Sequence, residues 1–229
     1  MASTSTAEPL GAQLEALAPD GYAVVNVPFD QHYAIVTALS QRYGPLTVLA
    51  TESVDSTEPI VRHRFSMSGV YGLREFPMHT DRAHDEIPPR FLLLSRARGS
   101  SNGVQTRVLA FNNLQLSSDE MRVLRREVWR VRYGRKRFLT PIVNDTAVPF
   151  EVVVRYDTCC MGPAEDFGRS AALMQRTLER AAYAEFELTR DYTLVIDNWR
   201  TLHGRSSITA PIGGRTIQRT LVKMRPAQQ

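Results

Sequence analysis

Phe76-Pro77-Met78-His79-Thr80-Asp81-Arg82-Ala83-His84, near the middle of the chain, sets an imidazole and a carboxylate one residue apart. In an extended segment side chains two apart share a face, so His79 and Asp81 can reach one ion while Thr80 turns away. Alone, His-x-Asp is a weak motif, and a third ligand must come from a distant part of the chain. The other histidines are His32, His63, His84 and His203. His203 lies in Asp197-Asn198-Trp199-Arg200-Thr201-Leu202-His203-Gly204-Arg205, on a loop following the strand-like run Tyr192 to Ile196, and is the best placed. Two imidazoles and a carboxylate bind one face of an octahedral ferrous ion and leave the opposite face open. His84, in an acidic stretch, reads as a lid residue or a neighbour of the site, not a ligand. Asn198 and Thr80 are the polar candidates to fix the imidazole tautomers.

A second stretch, Gly213-Gly214-Arg215-Thr216-Ile217-Gln218-Arg219-Thr220-Leu221-Val222, places two arginines four apart on a strand. That spacing keeps both guanidinium groups on one face, with Ile217 between them. If the face points inward the arginines require an anion, and a dicarboxylate suits a bidentate clamp. The alternative is an edge strand whose arginines meet water.

Around these stretches the pattern is of many short strands. Strands are expected at Tyr22 to Val27, Leu46 to Ala50, Ile60 to Ser66, Gly69 to Leu73, Phe91 to Ser95, Val104 to Phe111, Leu139 to Asn144, Phe150 to Tyr156, Tyr192 to Ile196 and Thr216 to Met224. Helical periodicity marks Gln31 to Tyr43 and about Ala164 to Ala184, and Gln13 to Ala18 is a short helical piece before the turn at Pro19-Asp20-Gly21. Ser117 with Glu120 is a capping-box signature for another helix, carrying Met121, Leu124 and Val128. Strands with a few inserted helices argue for a mainly β chain with added helices (α+β), a barrel or sandwich and not a parallel α/β fold.

At 229 residues and 43% hydrophobic composition, one domain spanning 1–229 is expected, with residues 1–9 a flexible tail. The net charge of +4 comes from 28 basic and 24 acidic residues, mostly intermixed. The densest basic stretch, Arg122 to Arg137, reads as a solvated helix face and its exit; with interleaved stacking aromatics nearly absent it does not suggest a nucleic-acid partner. Cys159 and Cys160 are adjacent, a poor geometry for an ordinary disulfide, which points to a reducing compartment. No secretory signal is visible and no apolar run approaches the ~18 residues of a membrane span, so a cytoplasmic protein with no membrane partner is expected.

Taken together, Phe76 through His84, the Pro88-Pro89 pair before an apolar strand, Asn198 through His203 and the Arg215/Arg219 strand resemble the taurine dioxygenase and clavaminate synthase-like superfamily of Fe(II)/2-oxoglutarate oxygenases. The match runs in order over roughly Gly69 to Met224. It implies a double-stranded β-helix, a distorted jelly roll, with its core at 69–224 and helical insertions. It implies Fe(II) on His79, Asp81 and His203, and the distal carboxylate of 2-oxoglutarate on Arg215 with Thr106 bonded to the same group. Arg219 stands where relatives put an arginine near substrate or the inner carboxylate. The chain departs from the family before Thr106, with Val104-Gln105 where relatives often carry Gly-Asp or Gly-Glu. The implied reaction consumes O₂ and 2-oxoglutarate, releases succinate and CO₂, and oxidises a C–H bond; Asp81, which halogenating relatives replace with a small residue, points to hydroxylation or a related oxidation such as desaturation or ring closure.

Arg155-Tyr156-Asp157 resembles an Arg-aromatic-Asp run of amino-acid-hydroxylating relatives. It implies a small amino-acid-like substrate, free or carrier-bound, with its carboxylate on Arg219 or Arg155 and its ammonium near Asp157; a plain surface ion pair is the alternative. His84, Asp85 and Glu86 are placed for a mobile lid, and Tyr71 and Trp199 for pocket walls or core. Two rival classes stay open: a nucleic-acid or protein demethylase or hydroxylase of the same chemistry, the former wanting a basic groove and rings that stack a flipped base, and a non-catalytic jelly-roll binding protein. Oligomeric state is not readable.

Overall fold

Strand pairing in this chain is antiparallel throughout the described residues, and alternation along each strand decides which layer it faces. The computed structural model describes residues 8–55, 67–99, 103–146, 151–165, 168–209 and 215–225. The expected strand Ile60 to Ser66, His63 and residues 1–7 of the expected tail lie outside them.

In chain order the elements begin α1 (Leu10–Gln13), α2 (Leu17–Asp20), β1 (Tyr22–Val25), α3 (His32–Tyr43), β2 (Leu46–Asp55), α4 (Met67–Tyr71), β3 (Phe76–His79) and β4 (Phe91–Arg98). They continue with β5 (Gln105–Ala110), α5 (Ser118–Arg126), β6 (Val128–Tyr133), β7 (Lys136–Pro141), β8 (Val143–Asp145), β9 (Val152–Val154) and β10 (Met161–Pro163). The last are α6 (Arg169–Arg180), β11 (Ala184–Glu187), β12 (Thr193–Asp197), β13 (Thr201–Arg205) and β14 (Thr216–Met224). The larger sheet has the order β1-β12-β4-β14-β2 and the smaller β11-β5-β13-β3; β10-β6-β7 and β8-β9 are separate.

β4 shows how the layers form. Phe91 and Leu93 point to one side, where Leu17, Ile35, Leu39 and Val195 pack beneath α2 and α3. Leu92 and Leu94 point to the other, meeting Leu194, Ile196, Ile217 and Leu221 of the same sheet and Val108 of the smaller one. A strand buried on both faces must read as a continuous apolar run, as Phe91 to Leu94 does. Each such side chain contributes about 1.5–3 kcal/mol on burial. On the far side of the smaller sheet Leu109 and Leu202 pack with Leu124 of α5, Trp129 and Val131 of β6, and Leu173 and Met174 of α6. The layers therefore run helices, larger sheet, smaller sheet, then α5, α6 and the β6–β7 hairpin.

The capping box forms as expected, Ser117 Oγ accepting from Glu120 N–H while the Glu120 carboxylate accepts from Ser117 N–H. Other expectations are corrected. Gly69 to Leu73 is not a strand: α4 runs to Tyr71 and stops at Gly72, whose φ of 52° is left-handed. A five-residue apolar run is ambiguous between helix and strand, and the glycine stop decides for the helix. The helix expected over Ala164 to Ala184 is only Arg169–Arg180, because Ala181 turns extended and the chain passes into β11. His203 is on a strand and not a loop, since β5 and β3 hydrogen-bond to β13 from both sides. The larger sheet also takes β1 and β2 from before residue 69, ahead of the expected core boundary.

Candidate metal centre

The site lies between the two sheets, where β3, β13 and β14 come together around a cavity of roughly 320 Å³. β13 pairs with β3 so that His203 is directly opposite His79. Their ring centroids are 4.3 Å apart. Asp81, two residues beyond His79, brings Oδ1 to 3.7 Å from His79 Nε2 and 3.9 Å from His203 Nε2. The three donor atoms lie within 4.8 Å of one another and all three residues are buried. Metal bonds of about 2.1 Å at right angles would place donors about 3 Å apart, so small rotations of these side chains close the set on one ion. Two nitrogens and one carboxylate oxygen on one side, with cavity on the other, fit a ferrous ion.

The surroundings orient and charge these three side chains. His79 Nδ1 donates to Pro77 C=O at 2.9 Å, which directs Nε2 toward Asp81. Burial and the neighbouring His79 push His203 down to about 3, so its imidazole is neutral, the form a metal takes. For His79 burial opposes the charge, but the hydrogen bond and charge of Asp81 carry its pKa above the ordinary value. Burial alone would raise the Asp81 carboxyl; Arg219 and the two imidazoles outweigh it and hold it well below the usual carboxylate range.

Asn198 and Thr80 touch neither imidazole. Asn198 instead grips the backbone of Asp81: its side-chain oxygen accepts from Asp81 N–H at 2.9 Å, and its amide donates to Asp81 C=O at 3.1 Å and Pro89 C=O at 2.9 Å. Thr80 Oγ1 donates to Val154 C=O and accepts from Tyr156 N–H, tying the ligand segment to the stretch behind it.

Arg215, Ile217 and Arg219 all line the cavity, so that face of β14 points inward. Arg215 is 4% exposed, lowered to about 10 by burial and by Arg96, and remains cationic at neutral pH. Thr106, on β5, is 5% exposed and lines the same cavity, with Leu92, Leu94 and Leu188 as its apolar surface. Arg219 is held by two acids: Nη1 lies 3.0 Å from Asp81 Oδ2, and Nη2 lies 2.5 Å from Glu52 Oε2. Glu52 went unnoticed in the sequence, because only the register of β14 against β2 sets it opposite Arg219. Arg205, also unassigned, lines the cavity with its guanidinium 3.9 Å from the Phe76 ring centroid.

The Arg155-Tyr156-Asp157 run divides. Asp157 lines the cavity, its Oδ1 accepting from Cys159 N–H and its Oδ2 from the Cys160 thiol; among the described residues no cation pairs with it. Arg155 stands away from the cavity, its guanidinium donating to the carbonyls of Ala83, Asp85 and Glu86. Tyr71 is not in the cavity lining but packs 6.1 Å from Phe76, and Trp199 is core, donating to Pro88 C=O. His84 does line the cavity, stacked on Tyr133 at 3.6 Å and lowered to about 4 by burial. The expected lid is a pinned wall: Asp85 meets Arg82 at 2.8 Å, Lys136 at 2.5 Å and Lys223 at 3.6 Å. Cys159 and Cys160 are free, and no helix among the described residues is long and apolar enough to cross a membrane.

No protein-family model matches the chain, and no curated protein matches it. Solved structures do. An asparagine oxygenase, solved with Fe(II), 2S,3S-3-hydroxyasparagine and succinate, has a TM-score of 0.70 at 19% identity, over 95% of this chain and 81% of that one. The non-heme iron oxygenase OrfP, solved with Fe and alpha-ketoglutaric acid, gives 0.67 at 20% identity, over 93% of this chain and 79% of that one. PvcB from Pseudomonas aeruginosa gives 0.65 at 19% identity, over 95% and 80%. At such identities the likeness establishes a common fold.

Proposed function

We propose that the chain is an Fe(II)- and 2-oxoglutarate-dependent oxygenase that hydroxylates a C–H bond of a small amino-acid-like molecule, releasing succinate and CO₂. The finer architecture under this reading is a double-stranded β-helix forming one domain over 1–229. The observation that carries it is the convergence of His79, Asp81 and His203 within 4.8 Å at a cavity that also presents Arg215 and Thr106. The three neighbours of the same fold are all oxygenases by name, and two are solved with iron and either succinate or alpha-ketoglutaric acid.

Bound iron would supply the activation of O₂ that the side chains of this protein lack. The residues supply position and charge. His79, Asp81 and His203 would hold the metal from one side. Arg215 and Thr106 would clamp the distal carboxylate of the cosubstrate, its methylenes lying along Leu92, Leu94 and Leu188. Arg219 keeps Asp81 ionised and aimed. Asp157, a buried carboxylate that forms no ion pair among the described residues, would take the ammonium of the substrate, because buried charges need a partner. Arg82 and His84 form the wall facing it.

The test is anaerobic addition of Fe(II) and 2-oxoglutarate. A visible charge-transfer band is expected in the wild type and is lost in His79→Ala, together with iron-dependent succinate formation. Absence of both signals in the wild type would defeat the reading. Asp157→Asn should retain the band while losing the stimulation of succinate release by amino-acid substrates.

A further inference from the structure

The β6–β7 hairpin and its turn, Val128 to Leu139, hold five basic residues and no acidic one, more charge than the net +4 of the whole chain. Alternation splits the hairpin. Its inner face carries Trp129 and Val131, buried in the core, and Tyr133 and Lys136, which reach the catalytic cavity and Asp85. Its outer face carries Arg130, Arg132 and Arg137, all exposed, with Val128 at 41% and Leu139 at 61% exposure among them. Arg135 projects from the turn.

Two features of that face do nothing for the isolated fold. Arg132 is directly opposite Arg137 in the ladder, and like charges so placed repel. Among the described residues none of Arg130, Arg132, Arg135 or Arg137 pairs with a carboxylate; Arg130 and Arg137 donate only to the carbonyls of Ala164, Gly134 and Lys136. Four of the neighbouring arginines of α5 and α6 differ, Arg122, Arg125, Arg169 and Arg176 each meeting an acid. A shallow depression of roughly 230 Å³, lined by Arg130, Arg132, Cys159, Cys160 and Gly162 among others, adjoins the face.

We propose that this outer face docks an acidic segment of a partner protein. Exposed arginines around apolar side chains are the composition of a docking patch, and uncompensated positive charge selects a negative occupant. A nucleic acid fits less well, because the hairpin's rings are turned away: Trp129 is buried and Tyr133 is stacked on His84, leaving no platform for bases. Because Tyr133 lines the cavity and Lys136 is tied to Asp85 of its wall, the occupant would sit near the rim of the proposed active site.

The probe is a fluorescein-labelled peptide of about ten residues, glutamates with two leucines, titrated into the full-length protein by anisotropy at low and high salt. Binding is expected to weaken by about tenfold between the two salts and again by about tenfold or more in R132E/R137E. R42E/R225E, an equal change of charge on exposed residues outside the hairpin, should leave it within about twofold. R137E alone should raise the urea midpoint, because it turns a repelling cross-strand pair into an attracting one. The proposal is overturned if the peptide does not bind, if both double variants weaken it alike, or if R137E lowers the midpoint. It is overturned too if a single-stranded oligothymidylate binds more tightly than the peptide and is lost in the same variant.

Discussion

Adding one methyl group beside a proposed ligand tests the whole centre. Gly204 follows His203 on β13, and a Cβ there would lie 2.7 Å from the Phe76 carbonyl oxygen, 3.3 Å from Met78 Sδ and 3.4 Å from Pro77 C. A carbon and a carbonyl oxygen approach comfortably at about 3.3 Å, leaving a deficit of about 0.6 Å. Phe76 O is backbone, so no side chain can swing aside; β3 must move away from β13. β3 ends at His79, which is opposite His203, so the displacement opens the donor triangle now at 3.7 and 3.9 Å. Overpacking of this kind costs about 1–3 kcal/mol. Displacing an aligned ligand should cost about tenfold or more in metal affinity. Urea unfolding of the metal-free protein and anaerobic Fe(II) titration of Gly204→Ala measure the two effects separately. If the variant unfolds at the wild-type midpoint and binds iron as tightly, the close approach of β3 and β13 does not set the ligand geometry.

Asn198→Leu should destabilise the protein by about 3–5 kcal/mol in denaturant melts, because three buried backbone groups lose their partner at once; a loss under about 1 kcal/mol would contradict this. Arg219→Met removes the largest favourable charge on Asp81, so the carboxyl pKa should rise and iron binding should fail at a higher pH than in the wild type; identical pH profiles would refute the role. His32 is lowered to about 4 by burial, although Asp30 pulls the other way, and it sits between Thr220 Oγ1 at 2.8 Å and Ser95 Oγ at 3.0 Å. Its folded pKa is below the ordinary value near 6.5, so the unfolded chain binds more protons between those pH values. Its contribution, about 3 kcal/mol, is complete above pH 6.5 and is lost as the pH falls toward 4. His32→Gln should flatten that part of the stability profile; an unchanged slope would assign it to other groups.

What was readable in the sequence was local. The alternation of Arg215, Ile217 and Arg219 at the start of β14 and the Ser117/Glu120 cap depend on near neighbours, and each took the expected arrangement; His79 and Asp81 also meet, although β3 ends at His79 and Asp81 lies in the turn beyond it. Partners across the fold were not readable. Arg155 and Asp157 look equivalent as a motif, yet one sits behind the wall and the other in it, because they follow the end of β9 on irregular backbone and not on a regular strand. Glu52 gained its position from a register nine pairs long between β14 and β2. His203 looked like a loop residue since Thr201 to Arg205 carries little strand propensity of its own; two flanking ladders impose the conformation.

The wall formed by Arg82 and His84 is anchored by Asp85, Lys136, Lys223 and Arg155, none of which is in the ligand triad. Its mechanical support is therefore separate from that of the proposed metal ligands, which rest on Asn198, Pro77 and the β3–β13 ladder. Under the proposed function His84 is accordingly the position at which to retarget the cavity: varying it can reshape what the cavity admits while the Arg82–Asp85 pair and the supports of the proposed ligands stay in place.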